Sequence, residues 1–182
     1  MMRKLNWDEI SQKRQKSGPI QAVDRLPLTV LVDNVRSLYN VGSIFRTSDG
    51  VMVQHLLLAG YTPLPPRKEI EKTALGATAS VPWSHARDPV ASLQLLKSEG
   101  LTLCCLEQTD KSIPYYEIQK QHFPLCLVLG SEVAGVSSSL IELCDFAIEI
   151  PMFGKKHSLN VAVAYGIAVF HLSRVWRNTR DH

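Results

Sequence analysis

Three polar clusters in this chain each follow a strongly apolar run, and together they hold the residues best able to do chemistry. The first spans Asn34 to Arg46, the second Leu129 to Gly135, and the third, after Ile148, carries Lys155, Lys156, His157, Ser158 and Asn160. They contribute a cation (Arg46), a carboxylate (Glu132), a hydroxyl (Ser158) and two amides (Asn40 and Asn160). Such a set suits positioning and polarising a group, not forming a covalent intermediate. No Ser-His-Asp set in a plausible order and no H-E-x-x-H is present, and no cysteine–histidine pair lies near the clusters. A G-x-G-x-x-G opening a helix after a strand is missing, as is a G-x-x-x-x-G-K-[ST] loop; this weakens a nicotinamide nucleotide and removes a P-loop.

The elements that must position these residues alternate between strand and helix patterns. Strands are predicted at 28–32, 55–59, 79–83, 101–106, 125–129 and 146–150. Helices are predicted at roughly 7–15, from Asn40 as N-cap to Gly50, from Asp88-Pro89 to Glu99 with Gly100 beyond, at 137–144, and from Ser158 to about Arg177. The proline-rich, charged stretch 61–72 reads as a surface loop facing substrate and leading into a short helix. Alternation of this kind implies an α/β protein with a mostly parallel sheet flanked by helices. Right-handed crossovers put the loops after strands 28–32, 125–129 and 146–150 on one edge, where α/β proteins hold ligands.

The 182 residues, 45% hydrophobic and 20% charged, are enough for one domain with a real core. A short basic N-terminal arm (1–25), with a loop through Gly18 and Pro19, precedes a single domain at 26–182. A net charge of +3 permits a nucleic-acid partner without requiring one. The N-terminus has no signal-peptide pattern, and no apolar run reaches the ~20 residues of a membrane span. Cys104, Cys105, Cys126 and Cys144 form no C-x-x-C pair and read as reduced packing residues. A cytoplasmic protein without a metal is expected.

The clusters carry N-x-G-x-x-x-R at Asn40–Arg46, L-G-S-E-x-x-G at Leu129–Gly135, and I-P-M-x-G-x-x-x-S-L-N-V-A-V-A at Ile150–Ala164. In this order and spacing they resemble the three motifs of the SpoU (TrmH-like) RNA ribose 2′-O-methyltransferases, over nearly all of residues 28–175. The resemblance implies a C-terminal deep trefoil knot, S-adenosylmethionine held there, and a homodimer with its active site near the interface. It also implies Arg46 as the catalytic arginine, with Asn40, Glu132, Ser158 and Asn160 supporting it. Leu106, Gly130, Ile150, Ser158 and Leu159 match cofactor-contacting positions. The RNA is expected to be tRNA in preference to rRNA, because only about 25 residues precede the first strand, where larger relatives carry an RNA-binding domain.

The implied chemistry is an in-line methyl transfer from a sulfonium to a ribose hydroxyl, a poor nucleophile unless its proton is taken or its oxygen oriented. Arg46 is either the base, helped by an RNA phosphate, or, equally well, a clamp that holds the phosphate and orients the 2′-OH; a guanidinium offers donors and no acceptor, which makes the literal base awkward. Each residue also has a plainer explanation. Arg46 could be a solvated helix residue, Asn40 and Ser158 helix caps, Glu132 a charge at a helix N-terminus, and Asn160 part of a core network. Lys155, Lys156 and His157 are a solvated turn or a phosphate contact. The rival functions are a non-catalytic RNA-binding protein of the same fold, and a doubly wound NAD- or nucleotide-binding enzyme.

Overall fold

A computed structural model describes residues 2–15 and 25–177. The expected loop at Gly18 and Pro19 and the basic Lys16 and Arg180 lie outside the described residues. Helix α1 (Trp7–Gln15) forms where the sequence places it. Asn6 and Glu9 start it reciprocally: the Glu9 N–H donates to Asn6 Oδ1 at 2.9 Å and the Asn6 N–H to Glu9 Oε2 at 2.8 Å, closing a capping box.

Among the described residues seven strands make one sheet: β1 (Leu26–Asp33), β2 (Val53–Ala59), β3 (Trp83–Ala86), β4 (Thr102–Leu106), β5 (Ile113–Pro114), β6 (Leu125–Leu129) and β7 (Phe146–Glu149). Their order is β3-β2-β1-β6-β4-β7-β5, and every pairing is parallel. The mostly parallel α/β architecture is therefore present. Central β1 and β6 are buried on both faces because helices cover both faces, and β6 is apolar throughout while β1 also buries Thr29 and Asp33. Leu28, Val30 and Val32 pack on one side and Leu31 on the other; in β6, Leu125, Leu127 and Leu129 oppose Cys126 and Val128.

The first face is covered by α2 (Leu38–Val51), α3 (Lys68–Ala74) and α7 (Val161–Arg177) through Val41, Ile44, Phe45, Ile70, Tyr165 and Leu172. The second is covered by α5 (Pro89–Ser98) and α6 (Ser138–Ile141) through Leu93 and Leu140. Helix α5 matches its signals closely. Asp88 accepts the Ala91 N–H at 3.0 Å, Pro89 opens the helix, and Gly100 follows with φ +88°. All four cysteines are free thiols, three of them buried.

Several expected elements differ. Residues 79–83 are not a strand: Ala77–Ser80 is a helical turn (α4) entered through Gly76 at φ +89°, and the strand runs from Trp83 to Ala86. Pro82 cannot donate to a ladder, so it offers only its carbonyl, which accepts the Leu56 N–H just before β3 begins. The helix expected at 137–144 ends at Ile141. Beyond it, the Leu143 and Cys144 N–H groups reach back three residues, tightening the chain into a turn before β7. Helix α2 begins earlier than Asn40: Ser37 is its N-cap, accepting the Asn40 N–H at 3.3 Å. Gly50 does not stop it; the stop is Met52, at φ 59°.

Candidate active site

The carboxyl edge of β6, β4 and β7 opens into a cleft of about 580 Å³. Its walls are the segments following those strands: 129–136 after β6, 106–108 after β4, and 149–161 between β7 and α7. Three loops distant in sequence therefore meet, as parallel topology requires of strand ends on one edge.

Glu132, at the tip of the 130–136 loop, receives three donors. Its carboxylate accepts the Arg36 N–H at 3.1 Å, the Ser37 N–H at 3.2 Å and Asn40 Nδ2 at 2.7 Å. Burial alone would raise this carboxyl; the bonds from Asn40 and from the backbone outweigh that and hold it below the usual carboxylate range. Because Ser37 caps α2, Asn40 lies inside the first turn with its side chain free. Its Nδ2 goes to Glu132, and its Oδ1 accepts Asn160 Nδ2 at 3.1 Å. Asn160 Oδ1 in turn accepts the N–H groups of Ala162 at 2.9 Å and Val163 at 3.3 Å. A continuous chain of hydrogen bonds thus ties the first loop to the second and third.

Asn160, not Ser158, caps α7. Ser158 is exposed at the cleft rim, three residues ahead of the helix, and its hydroxyl makes no hydrogen bond among the described residues. The cap expected at Ser158 moves because Asn160 reaches two N–H groups of the first turn. Gly130, Ile150, Leu159 and Leu106 all line the cleft, as do Glu132 and Asn160. Arg46 does not. It is exposed, two turns into α2 beyond Asn40, and forms no ion pair or hydrogen bond among the described residues.

The glycines of the second loop are structural requirements. Ser131 and Gly135 exchange two backbone hydrogen bonds of 3.0 Å, folding the loop into a closed ring. A Cβ on Gly130 would collide with the Gly135 and Val136 backbone, and Gly135 has φ +66° beside the Glu107 carboxylate. Glu107 itself accepts the Val136 N–H at 2.9 Å, and Gln108 Nε2 donates to the His157 carbonyl at 2.6 Å. Neither residue was singled out from sequence. The available signal was position, since both directly follow a buried strand on the ligand-binding edge.

The cleft combines an apolar floor (Leu106, Leu129, Ile150, Leu159) with carboxylates at Glu107, Glu132 and Glu149, and among the described residues no Lys, Arg or His lines it. Its size is that of a small-molecule site. Its carboxylates favour a cationic ligand and its apolar floor an apolar part, which suits a sulfonium attached to a nucleoside. S-adenosylmethionine fits this donor set and shape. Among the described residues no group of three His, Cys, Asp or Glu side chains is arranged to hold a metal.

A profile of the SpoU rRNA methylase family matches residues 27–170. The tRNA (guanosine(18)-2′-O)-methyltransferase of Aquifex aeolicus is 32% identical over 167 residues, covering 91% of this chain and 73% of that protein. The crystal structure of an A. aeolicus TrmH/SpoU tRNA-modifying enzyme superposes with a TM-score of 0.80 at 30% identity, covering 94% of this chain and 86% of that one. The SpoU methyltransferase AviRb of Streptomyces viridochromogenes, solved with AdoMet, gives 0.74 at 26% identity, covering 87% and 63%. Several other curated relatives are longer, and the chain spans 59% to 66% of their length. With a profile that runs from β1 into α7 and takes in all three loops of the cleft, the chain belongs to the SpoU rRNA methylase family.

Proposed function

We propose that this protein transfers a methyl group from S-adenosylmethionine to a ribose 2′-hydroxyl of RNA, with tRNA preferred over rRNA, and that it works as a cytoplasmic homodimer. The observation that carries this proposal is the Glu132–Asn40–Asn160 chain at the rim of an acidic, apolar-floored cleft. Its three members come from the three motifs whose spacing resembles the family's.

When bound, S-adenosylmethionine supplies an electrophilic methyl group on a sulfonium. Leu106, Gly130, Ile150, Ser158 and Leu159 hold the cofactor, with the Ser158 hydroxyl available as a donor or acceptor. Glu132 fixes the Asn40 amide, and Asn40 fixes Asn160, so the rim facing the substrate is rigid before RNA arrives. Arg46 supplies a guanidinium that grips an RNA phosphate and orients the ribose hydroxyl, a role its donors suit and for which it needs no acceptor.

An exposed apolar face next to Arg46 supports the dimer. Val163, Ile167 and Phe170 form an exposed apolar stripe on α7, beginning one turn from Asn160. A Cβ on Gly50 would lie 3.6 Å from Phe170, and Arg46 sits four residues before Gly50 on the same face of α2. Arg46 therefore borders that stripe. A second copy covering the stripe would bury these apolar side chains beside Arg46. The proposal includes the C-terminal trefoil knot implied by the motif resemblance, and a single domain at 26–182 with a basic arm before it. No helix among the described residues is long and apolar enough to cross a membrane.

The test uses S-adenosylmethionine labelled in its methyl group, with bulk tRNA and bulk rRNA from a strain lacking the protein, comparing wild type with Arg46→Ala. Label in tRNA that resists alkali at one nucleotide and is lost in the variant is expected. Label on a base, or none in either pool, overturns the proposal.

A further inference from the structure

A second groove, of about 510 Å³, opens on the same carboxyl edge beside the acidic cleft, over the ends of β1, β2 and β3. It is opposite in character. Arg36, Arg67 and His85 line it together with Tyr61, and no carboxylate does. Both arginines are exposed, and neither forms an ion pair or a side-chain hydrogen bond among the described residues. Two guanidiniums on one groove, with no carboxylate among its lining residues, make a site for an anion.

The aromatic ring is offered on a fixed support. Tyr61 is 82% exposed, yet its N–H donates to Asn34 Oδ1 at 2.9 Å. The next residue, Thr62, is buried, donating to the Val32 carbonyl at 2.9 Å and accepting the Val35 N–H at 3.2 Å. A large ring held out from a pinned backbone loses little freedom when a flat partner stacks on it. Anion site and stacking platform together match the two parts of a nucleotide.

The groove is also wired to the cleft. Arg36 lines the groove, and its backbone N–H donates to Glu132. From β2 to β4 are three strand spacings, about 14 Å, so one RNA strand can occupy both. The cleft, with three carboxylates and no cation, repels phosphate; the neighbouring groove attracts it. We propose that this groove holds a nucleotide of the RNA strand adjacent to the methylated ribose, with its phosphate on Arg36 and Arg67 and its base against Tyr61. The proposal rests on the RNA methyltransferase function proposed above.

The test is equilibrium binding of bulk tRNA to the full chain in saturating S-adenosylhomocysteine, with turnover measured separately. Tyr61→Ala is expected to weaken RNA binding roughly tenfold, and Tyr61→Phe to restore it. Arg67→Ala is expected to reduce the slope of log affinity against log salt by about one, and Arg67→Glu to weaken binding further. S-adenosylhomocysteine affinity should stay at the wild-type value throughout, which separates a lost RNA contact from a damaged fold. Wild-type RNA affinity and salt slope in both Tyr61→Ala and Arg67→Glu overturn the groove while leaving the methyl-transfer proposal intact. Groove-dependent RNA binding by a wild type that transfers no methyl to any RNA would leave an RNA-binding groove but overturn the function, and with it the placement of this nucleotide beside a methylated ribose.

Discussion

Asn40 Nδ2 lies 2.7 Å from Glu132 Oε1, and this one bond sets the polarity of the site. An amide whose nitrogen faces a carboxylate must turn its oxygen the other way, and Asn40 Oδ1 accordingly accepts from Asn160. The orientation of Asn160 follows, leaving its own oxygen to cap α7. Reversing either amide would set oxygen against oxygen. The three motifs are thus one directed unit, and removing one member is felt by the other two.

The Asn40–Glu132 bond predicts a large effect of Asn40→Ala on transfer. Loss of both bonds frees Asn160 and leaves Glu132 with backbone donors only. Methyl transfer is expected to fall by roughly 10²-fold through misplacement of the rim, with S-adenosylhomocysteine affinity little changed. A matched loss of cofactor affinity in calorimetry would show instead that the amide builds the cofactor site.

Glu132 predicts a pH dependence. Its folded pKa is lowered, so its contribution to stability is present above the unfolded carboxylate value, near 4.3, and is lost as pH falls through the folded pKa. Thermal melts of wild type and Glu132→Gln should therefore differ by a constant amount from pH 7 to about pH 5 and converge below that. A gap that stays constant down to pH 3 would mean that the glutamine acts through packing.

Asn160 separates capping from positioning. Asn160→Ala removes the acceptor for Ala162 and Val163 and is expected to cost about 1 kcal/mol of stability, along with activity. Asn160→Asp keeps the cap, and its charge suits a helix N-terminus. It also sets a carboxylate against Asn40 Oδ1, which cannot turn away without facing Glu132. The aspartate variant should therefore melt near the wild-type temperature and transfer methyl poorly. Activity that followed melting temperature in both variants would make Asn160 a cap and nothing more.

How far these relationships were legible in the sequence depended on the range of the interaction concerned. Strand β6 is read to the residue, since a five-residue apolar run between proline and glycine has few alternatives. Helix α5 is equally legible because Asp88, Pro89 and Gly100 are local signals. Asn40 and Ser158 were misjudged as caps for a common reason: both are good capping residues, and the choice against Ser37 and Asn160 is made by partners 92 and 120 residues away from Asn40. Helix α6 is cut short by the entry into β7, where Asp145 accepts the Leu103 N–H at 2.8 Å. Glu107 escaped notice because its partner, Val136, is contributed by another loop. The basic groove escaped because Arg36, Tyr61, Arg67 and His85 form no local pattern.

Two motif glycines should fail differently. Gly130→Ala drives a Cβ into the backbone of Gly135 and Val136, opening the ring that walls the cleft. S-adenosylhomocysteine binding is expected to be lost. Gly42→Ala pushes instead on Thr73 Oγ1 and the Ile70 carbonyl, where α3 crosses α2. That overpacking should cost about 1–3 kcal/mol of stability and leave cofactor affinity measurable in the folded fraction. Chemical denaturation paired with calorimetry distinguishes them, and equal cofactor loss in both would remove the special role given to Gly130.

The clamp between α2 and α7 gives the last prediction. Ser48 and Tyr165 are fully buried and share a 2.7 Å hydrogen bond across the two helices that carry Arg46 and the apolar stripe. Burial raises the Tyr165 hydroxyl above its ordinary pKa, so the pair stays neutral and hydrogen-bonded throughout the working pH range. Tyr165→Phe leaves the Ser48 hydroxyl buried without this partner, and Ser48→Ala does the same to the phenol; each should cost about 1–3 kcal/mol. The double variant leaves neither group stranded and should be more stable than the sum of the single losses predicts. Urea denaturation of all four proteins closes the cycle. Strict additivity would mean that the two hydroxyls are satisfied independently and that this bond does not tie α7 to α2.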